Sequence, residues 1–133
     1  SVLSRDHEAV LRVFRRMAFN VASHDRDDHV KNFAFILDDA SGDWALSPAY
    51  DLTYASGPGG EHSMTLAGEG KAPGREHILR LAGQAGIAKA RAAAILDEVR
   101  AAVDRWDRFA AQAGVSKAAS RRIAASFPKL SLK

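Results

Sequence analysis

Between Asn32 and Asp51 lie two short apolar runs, Phe33-Ala34-Phe35-Ile36-Leu37 and Trp44-Ala45-Leu46-Ser47, parted by Asp38 to Asp43. The first run is apolar and aromatic, the pattern of a buried strand. The residues between them favour turns, and Gly42 is free to take a positive φ. The second run reads as the return strand, with Trp44 and Leu46 on one face. Together they predict a β-hairpin. Such a hairpin constrains its surroundings too. An outward leg of about six residues spans roughly 20 Å at ~3.3 Å per residue, and the return leg cancels it. Asp51 is therefore predicted to come back beside Asn32.

The flanks read as helices. Within residues 6–22, Val10, Phe14, Met17, Ala18 and Val21 recur at three- and four-residue spacing, one apolar stripe on an amphipathic helix. Ser4 or Asp6 is suited to cap its start, and Ser23-His24-Asp25-Arg26 to end it. Residues 54–60 read as a flexible loop, residues 62–66 as an extended piece, and Gly68, Gly70, Pro73 and Gly74 as a second loop. Residues 75–85 predict a short helix, with Ile78, Leu81, Ala82 and Ala85 on one side and Gly86 as its stop. Residues 88–113 predict one long helix on the period of Ile95, Val99, Ala102, Val103, Trp106, Phe109 and Ala110, ended by Gly114. Ser116 is the predicted cap of a last helix through Ser126, broken at Phe127-Pro128. Trp44, Trp106, Phe35 and Phe109 are assigned to the core. The fold class is thus mainly α, a helical body with a small β-hairpin, in a single domain over residues 1–133.

The residues at the hairpin's base share a chemistry. Asp27-Asp28-His29-Val30-Lys31-Asn32 precedes it, and Ser47-Pro48-Ala49-Tyr50-Asp51-Leu52 closes it. An amide oxygen and a carboxylate brought together suit a hard cation; magnesium takes one or two carboxylates and completes its shell with water and phosphate oxygens. Asp27, in the loop before Asn32, can face the same ion or the atom that attacks a phosphate. Phosphoryl transfer needs such parts: a carboxylate to take the hydroxyl proton, and metal ligands to neutralise phosphate charge.

Asp-x-His-x-Lys-Asn, a hairpin, and then Pro-x-Tyr-Asp-Leu together resemble the catalytic segment of HipA-type serine/threonine kinases, the toxins of bacterial toxin–antitoxin pairs. The resemblance runs by motif over residues 11–66 and by pattern through the helical remainder. It implies the C-lobe of a kinase-like fold and an ATP-dependent protein kinase that uses magnesium and ATP. By the same resemblance Asp27 is the catalytic base, Asn32 and Asp51 are magnesium ligands, Lys31 lies near the transferred phosphate, and His29 braces the loop. Asp28 fills the motif's variable position and is expected to face solvent. The family's phosphate-binding loop, ATP-anchoring lysine and most adenine contacts lie N-terminal to this segment. The chain is therefore expected to correspond to the C-terminal subdomain, inactive without the N-terminal lobe. Gly57 to Gly60 and Gly68 to Gly74 follow the motif and lack the strand–loop–helix setting of a phosphate cradle. The resemblance also implies as partners a protein substrate and, in the full-length protein, an antitoxin of the HipB type.

Charge offers a second class of function. Residues 1–70 carry six Lys or Arg against eleven Asp or Glu, and residues 71–133 carry thirteen against five. Such a split favours an anionic partner for the second half, so the alternative to an enzyme is a helical module that binds an antitoxin or another acidic partner, with Arg121-Arg122 as candidates. A third reading, a histidine–aspartate metal phosphohydrolase, rests on His7, His24-Asp25 and a later Asp. His62 and Lys71 read as ordinary loop residues. No apolar run approaches the ~20 residues that span a bilayer, and the first residues lack a signal peptide's apolar core. The chain has no cysteine, which fits a cytoplasmic protein. Neither membrane contact nor direct nucleic-acid contact is expected.

Overall fold

A computed structural model describes residues 7–60, 62, 64–66 and 68–130. The first helix, α1 (His7–Ala22), buries Leu11, Phe14, Ala18 and Val21 on one face, with Val10 and Met17 half-buried beside them. The candidate caps Ser4 and Asp6 lie outside the described residues. At its other end the helix closes with a paired turn: His24 N–H donates to the Val21 carbonyl at 3.3 Å, and Asp25 N–H donates to the Asn20 carbonyl at 2.9 Å. That closure requires a left-handed residue, usually glycine. Here it is His24, at φ 57°, with its ring stacked 5.5 Å from that of Tyr54.

The hairpin forms as predicted. Strand β1 (Phe35–Leu37) pairs antiparallel with β2 (Trp44–Leu46), Phe35 facing Leu46 and Leu37 facing Trp44. Asp38 Oδ1 accepts from Ala40 N–H at 2.8 Å, and Gly42 takes φ 73° in the turn. Its burial differs from expectation. Ile36 is 54% exposed, Leu37 42% and Trp44 43%, while Phe35 is half-buried and Leu46 alone of the six strand residues is buried. A two-stranded ribbon has two faces, and the helical body covers only part of one.

Helices α2 (Arg75–Gln84) and α1 both pack on α3 (Lys89–Val103), and Ala92, Ile95, Leu96 and Val99 of α3 form the centre of the core. Ile78 and Ala82 of α2, Leu66, Ile87 and Leu130 complete it. Ala85, predicted on the apolar side of α2, is exposed beyond the helix, and Gly86 follows it at φ 73°. Arg15 pairs with Glu98 at 2.6 Å and Arg75 with Asp97 at 2.9 Å, tying α1 and α2 to α3 at the surface. Exposed pairs of this kind contribute about 0–1 kcal/mol each, so burial carries the fold.

The predicted long helix is two helices. It breaks at Asp104 and Arg105 before α4 (Trp106–Gln112), and α5 (Lys117–Ser126) follows, capped by the Ser116 hydroxyl at 3.2 Å from Ala119 N–H. No glycine or proline marks the break. It lets α4 pack on α5: Trp106 Nε1–H donates to the Ser120 carbonyl at 3.0 Å, and its ring meets Phe127 edge-on at 5.9 Å. Trp106 is accordingly half-buried, whereas Phe109, assigned to the core, is 47% exposed. The extended piece expected at residues 62–66 includes Ser63, which lies outside the described residues; at its end Leu66 and Glu69 are bonded both ways at 2.9 and 3.0 Å. Among the described residues no helix is long and apolar enough to cross a membrane.

Candidate active site

The site begins where α1 stops. Asp25 leaves the helix with a side chain only 1% exposed and accepts from Thr53 N–H through Oδ2 at 3.2 Å. A parallel bridge joins Asp25 to Ala55, with Arg26 N–H donating to the Ala55 carbonyl at 3.0 Å. Burial raises the Asp25 pKa; the Thr53 N–H opposes the shift, and the nearby charges of Asp28 and Asp51 add to it. The segment that leads into the motif is thus stitched to the segment that follows Asp51.

The motif then curls on itself. The Asp27 carbonyl accepts from His29 N–H at 3.0 Å and from Asn32 Nδ2 at 3.2 Å, and a 3-10 turn spans Val30–Asn32. His29 Nε2 lies 2.8 Å from Asp27 Oδ1, an exposed contact that orients the carboxylate. Asp27 Oδ2 accepts no hydrogen bond among the described residues. Asn32 is buried, and with its amide nitrogen committed to Asp27 its Oδ1 is the remaining acceptor. Lys31 is exposed within the 3-10 turn.

The returning leg closes on this turn. Ser47 N–H donates to the Ala34 carbonyl at 2.8 Å, Arg16 of α1 donates to the Ser47 carbonyl, and the Tyr50 hydroxyl donates to the Lys31 carbonyl. The residue before Asp51 therefore bonds the residue before Asn32, which brings the return leg back to this turn. Asp51 itself is exposed at φ 56°. His24 and Asp51 are the two non-glycine residues at positive φ among those described, and both border the site. Left-handed backbone costs a non-glycine residue on the order of 1–3 kcal/mol and tends to persist where a site requires it.

Asp28 departs from expectation. It is buried, not solvent-facing, and its Oδ2 lies 3.1 Å from Nδ1 of His62, which is buried as well. Asp28 is the central residue of the turn that His29 N–H closes on the Asp27 carbonyl, and its side chain meets the loop that carries His62. Asp25, Arg16 and His62 also escaped the sequence reading as parts of the site. All four are brought in by tertiary packing: His62 meets Asp28, Thr53 meets Asp25, and Arg16 reaches the Ser47 carbonyl. Burial lowers the pKa of Arg16, helped by Arg12, and lowers that of His24, helped by Arg26 and His62.

Among the described residues no group of three or more His, Cys, Asp or Glu is placed to hold a metal ion. His7 and His24 stand at opposite ends of α1, which removes the basis of the phosphohydrolase reading. The donors that remain suit magnesium, which needs few protein ligands: the Asn32 amide oxygen and the Asp51 carboxylate, the latter in no ion pair among the described residues.

The chain belongs to the HipA-like C-terminal domain family, whose model matches residues 1–106. The match takes in α1, the motif, the hairpin, α2 and α3; it ends at Trp106, the first residue of α4. No curated protein and no solved structure matches the chain.

Proposed function

We propose that the chain is the base-bearing and metal-binding part of an ATP-dependent protein serine/threonine kinase. The observation that carries this reading is the double closure of the motif: Asn32 Nδ2 on the Asp27 carbonyl, and Tyr50 Oη on the Lys31 carbonyl. The first shapes the turn that carries Asp27 and Asn32, and the second draws back to it the leg that carries Asp51. Family membership supports it, since HipA-type proteins are kinases.

In this reading Asp27 Oδ2 accepts the proton of a substrate serine or threonine hydroxyl as that hydroxyl's oxygen forms the new bond to the γ-phosphorus of ATP. The bond from this phosphorus to the bridging oxygen breaks, so that ADP leaves. His29 holds the other Asp27 oxygen, so the carboxylate keeps one orientation. Asn32 Oδ1 and Asp51 would hold magnesium, and Lys31 would offer a positive charge to the transferred group. Magnesium, when bound, neutralises charge on the phosphate oxygens. The adenine and most phosphate contacts come from an N-terminal lobe, and residues 1–133 alone are expected to transfer no phosphate above background. The test is phosphotransfer from labelled ATP by the protein at its full natural length, with magnesium varied. Asp51→Asn tolerates the same left-handed backbone and removes one charge. It is expected to raise the magnesium needed for half-maximal rate about tenfold or more; an unchanged magnesium dependence removes Asp51 from the metal site.

A second reading has its own observation. Helix α5 buries none of its residues, and Arg121 and Arg122 are exposed on it, a surface suited to an acidic partner such as an antitoxin. Reversing both charges is expected to abolish capture of that antitoxin at physiological salt. Capture at parent strength counts against the surface.

A further inference from the structure

Asp27 stands between two side chains that reach into the protein. On one side Arg26 donates through Nη1 to the Gly60 carbonyl and through Nη2 to the Lys71 carbonyl at 3.0 Å. On the other, Asp28 Oδ2 meets His62 Nδ1 at 3.1 Å. Gly60, His62 and Lys71 all belong to the one loop between β2 and α2, which His62 N–H closes by donating to the Gly70 carbonyl at 2.8 Å. Both neighbours of Asp27 are therefore moored to the same loop, while the Asp27 side chain stays 51% exposed.

The mooring at His62 is the drier of the two. The His62 and Asp28 side chains are 3% and 5% exposed, whereas the Arg26 contacts are exposed. A carboxylate that accepts from an imidazole N–H away from water makes a strong, directional bond, because no solvent competes for either group. The loop that supplies this imidazole lies 34 residues along the chain from Asp28, so its grip is tertiary and not a property of the motif. With Asp28 held, and with the Asp27 carbonyl bonded to Asn32, the backbone that carries the Asp27 carboxylate has little freedom left.

We propose that His62 is a positioning residue for phosphoryl transfer: its Nδ1–H holds Asp28, and through Asp28 fixes the direction in which Asp27 presents its carboxylate to the substrate hydroxyl. This rests on the reading of Asp27 as the base. His62 touches neither substrate nor metal in this role, so its removal acts on turnover and not on ATP affinity.

The test compares His62→Leu, His62→Asn and Asp27→Asn with the parent, in phosphotransfer from labelled ATP by the protein at its full natural length. Leucine fills the buried volume without a donor, and the asparagine amide places an N–H where Nδ1–H stood. His62→Leu is expected to lower kcat about tenfold to a hundredfold, the cost of a misplaced catalytic group, while KM for ATP stays within about twofold. His62→Asn is expected to recover most of that loss. An unchanged kcat in His62→Leu alongside an inactive Asp27→Asn overturns the positioning role and leaves the base in place. An active Asp27→Asn overturns the reading beneath it. Equal losses in both His62 variants, at the parent's thermal midpoint, also overturn the role. Where His62→Leu fails to fold, His62→Asn decides: near-parent turnover supports the role and a large loss overturns it.

Discussion

At Asp25 a carboxylate 1% exposed to solvent faces a backbone N–H and lies near two other acidic residues. Its pKa is raised, first by burial, so the native state holds the proton more tightly than the unfolded chain does. Stability from this source is fully present below the unfolded carboxylate pKa and is lost as pH rises through the raised native value. The variant Asp25→Asn lacks that titration. The melting temperature of the parent minus that of Asp25→Asn is therefore expected to fall as pH is raised from the acid range to neutrality. Thermal melts across that range check this, and a difference that stays flat would contradict the buried-carboxylate assignment. Tyr50 is the second residue with a clear expectation. Its hydroxyl is the link between the hairpin's return and the Lys31 carbonyl, at a position 41% exposed. Tyr50→Phe is expected to cost up to about 1 kcal/mol in urea melts, the low end for one hydrogen bond partly open to water. No measurable loss would mean that Ser47 and Arg16 hold the return leg without it.

At the scale of elements, what packs locally could be read in advance and what packs at a distance could not. The short apolar runs on either side of Asp38–Asp43 foretold the hairpin, since it follows from local strand pattern and turn chemistry. The apolar stripe of α1 and the stop signals at Gly86 and Gly114 held for the same reason. The break between α3 and α4 was illegible, because its cause is the reach of Trp106 to Ser120 and Phe127 on another helix. The exposure of Ile36, Leu37 and Trp44 was illegible too: an apolar strand looks the same in sequence whether or not a second layer covers it. Within the site, the motif residues could be chosen from sequence, whereas the inward turn of Asp28 toward His62 needed the loop's course. Two substitutions separate these contributions. Gly42→Ala meets no atom within 4 Å and differs only in backbone strain at φ 73°, so about 1 kcal/mol of stability is expected to go. Ile95→Ala, at the fully buried centre of α3, is expected to cost about 2–5 kcal/mol. A reversed order of these two effects in denaturant melts would contradict the placement of the core on α3.

For the whole molecule, the division of labour follows the chain. The acidic first part carries the motif and the hairpin, and the basic second part carries the packed helices and the exposed arginines of α5. The family match ends where α4 begins, so the motif, its hairpin and the α1–α3 body lie within the HipA-like C-terminal domain, and most of α4 and all of α5 lie beyond it. The central proposition is that Asp27, presented by that body, is the base of a protein kinase. Its most direct test is phosphotransfer from labelled ATP to a protein serine or threonine, with magnesium saturating, by the full-length protein and by its Asp27→Asn variant. Loss of a general base is expected to lower the rate about a hundredfold to ten-thousandfold, at an unchanged melting temperature. Phosphotransfer by Asp27→Asn within about threefold of the parent would contradict it.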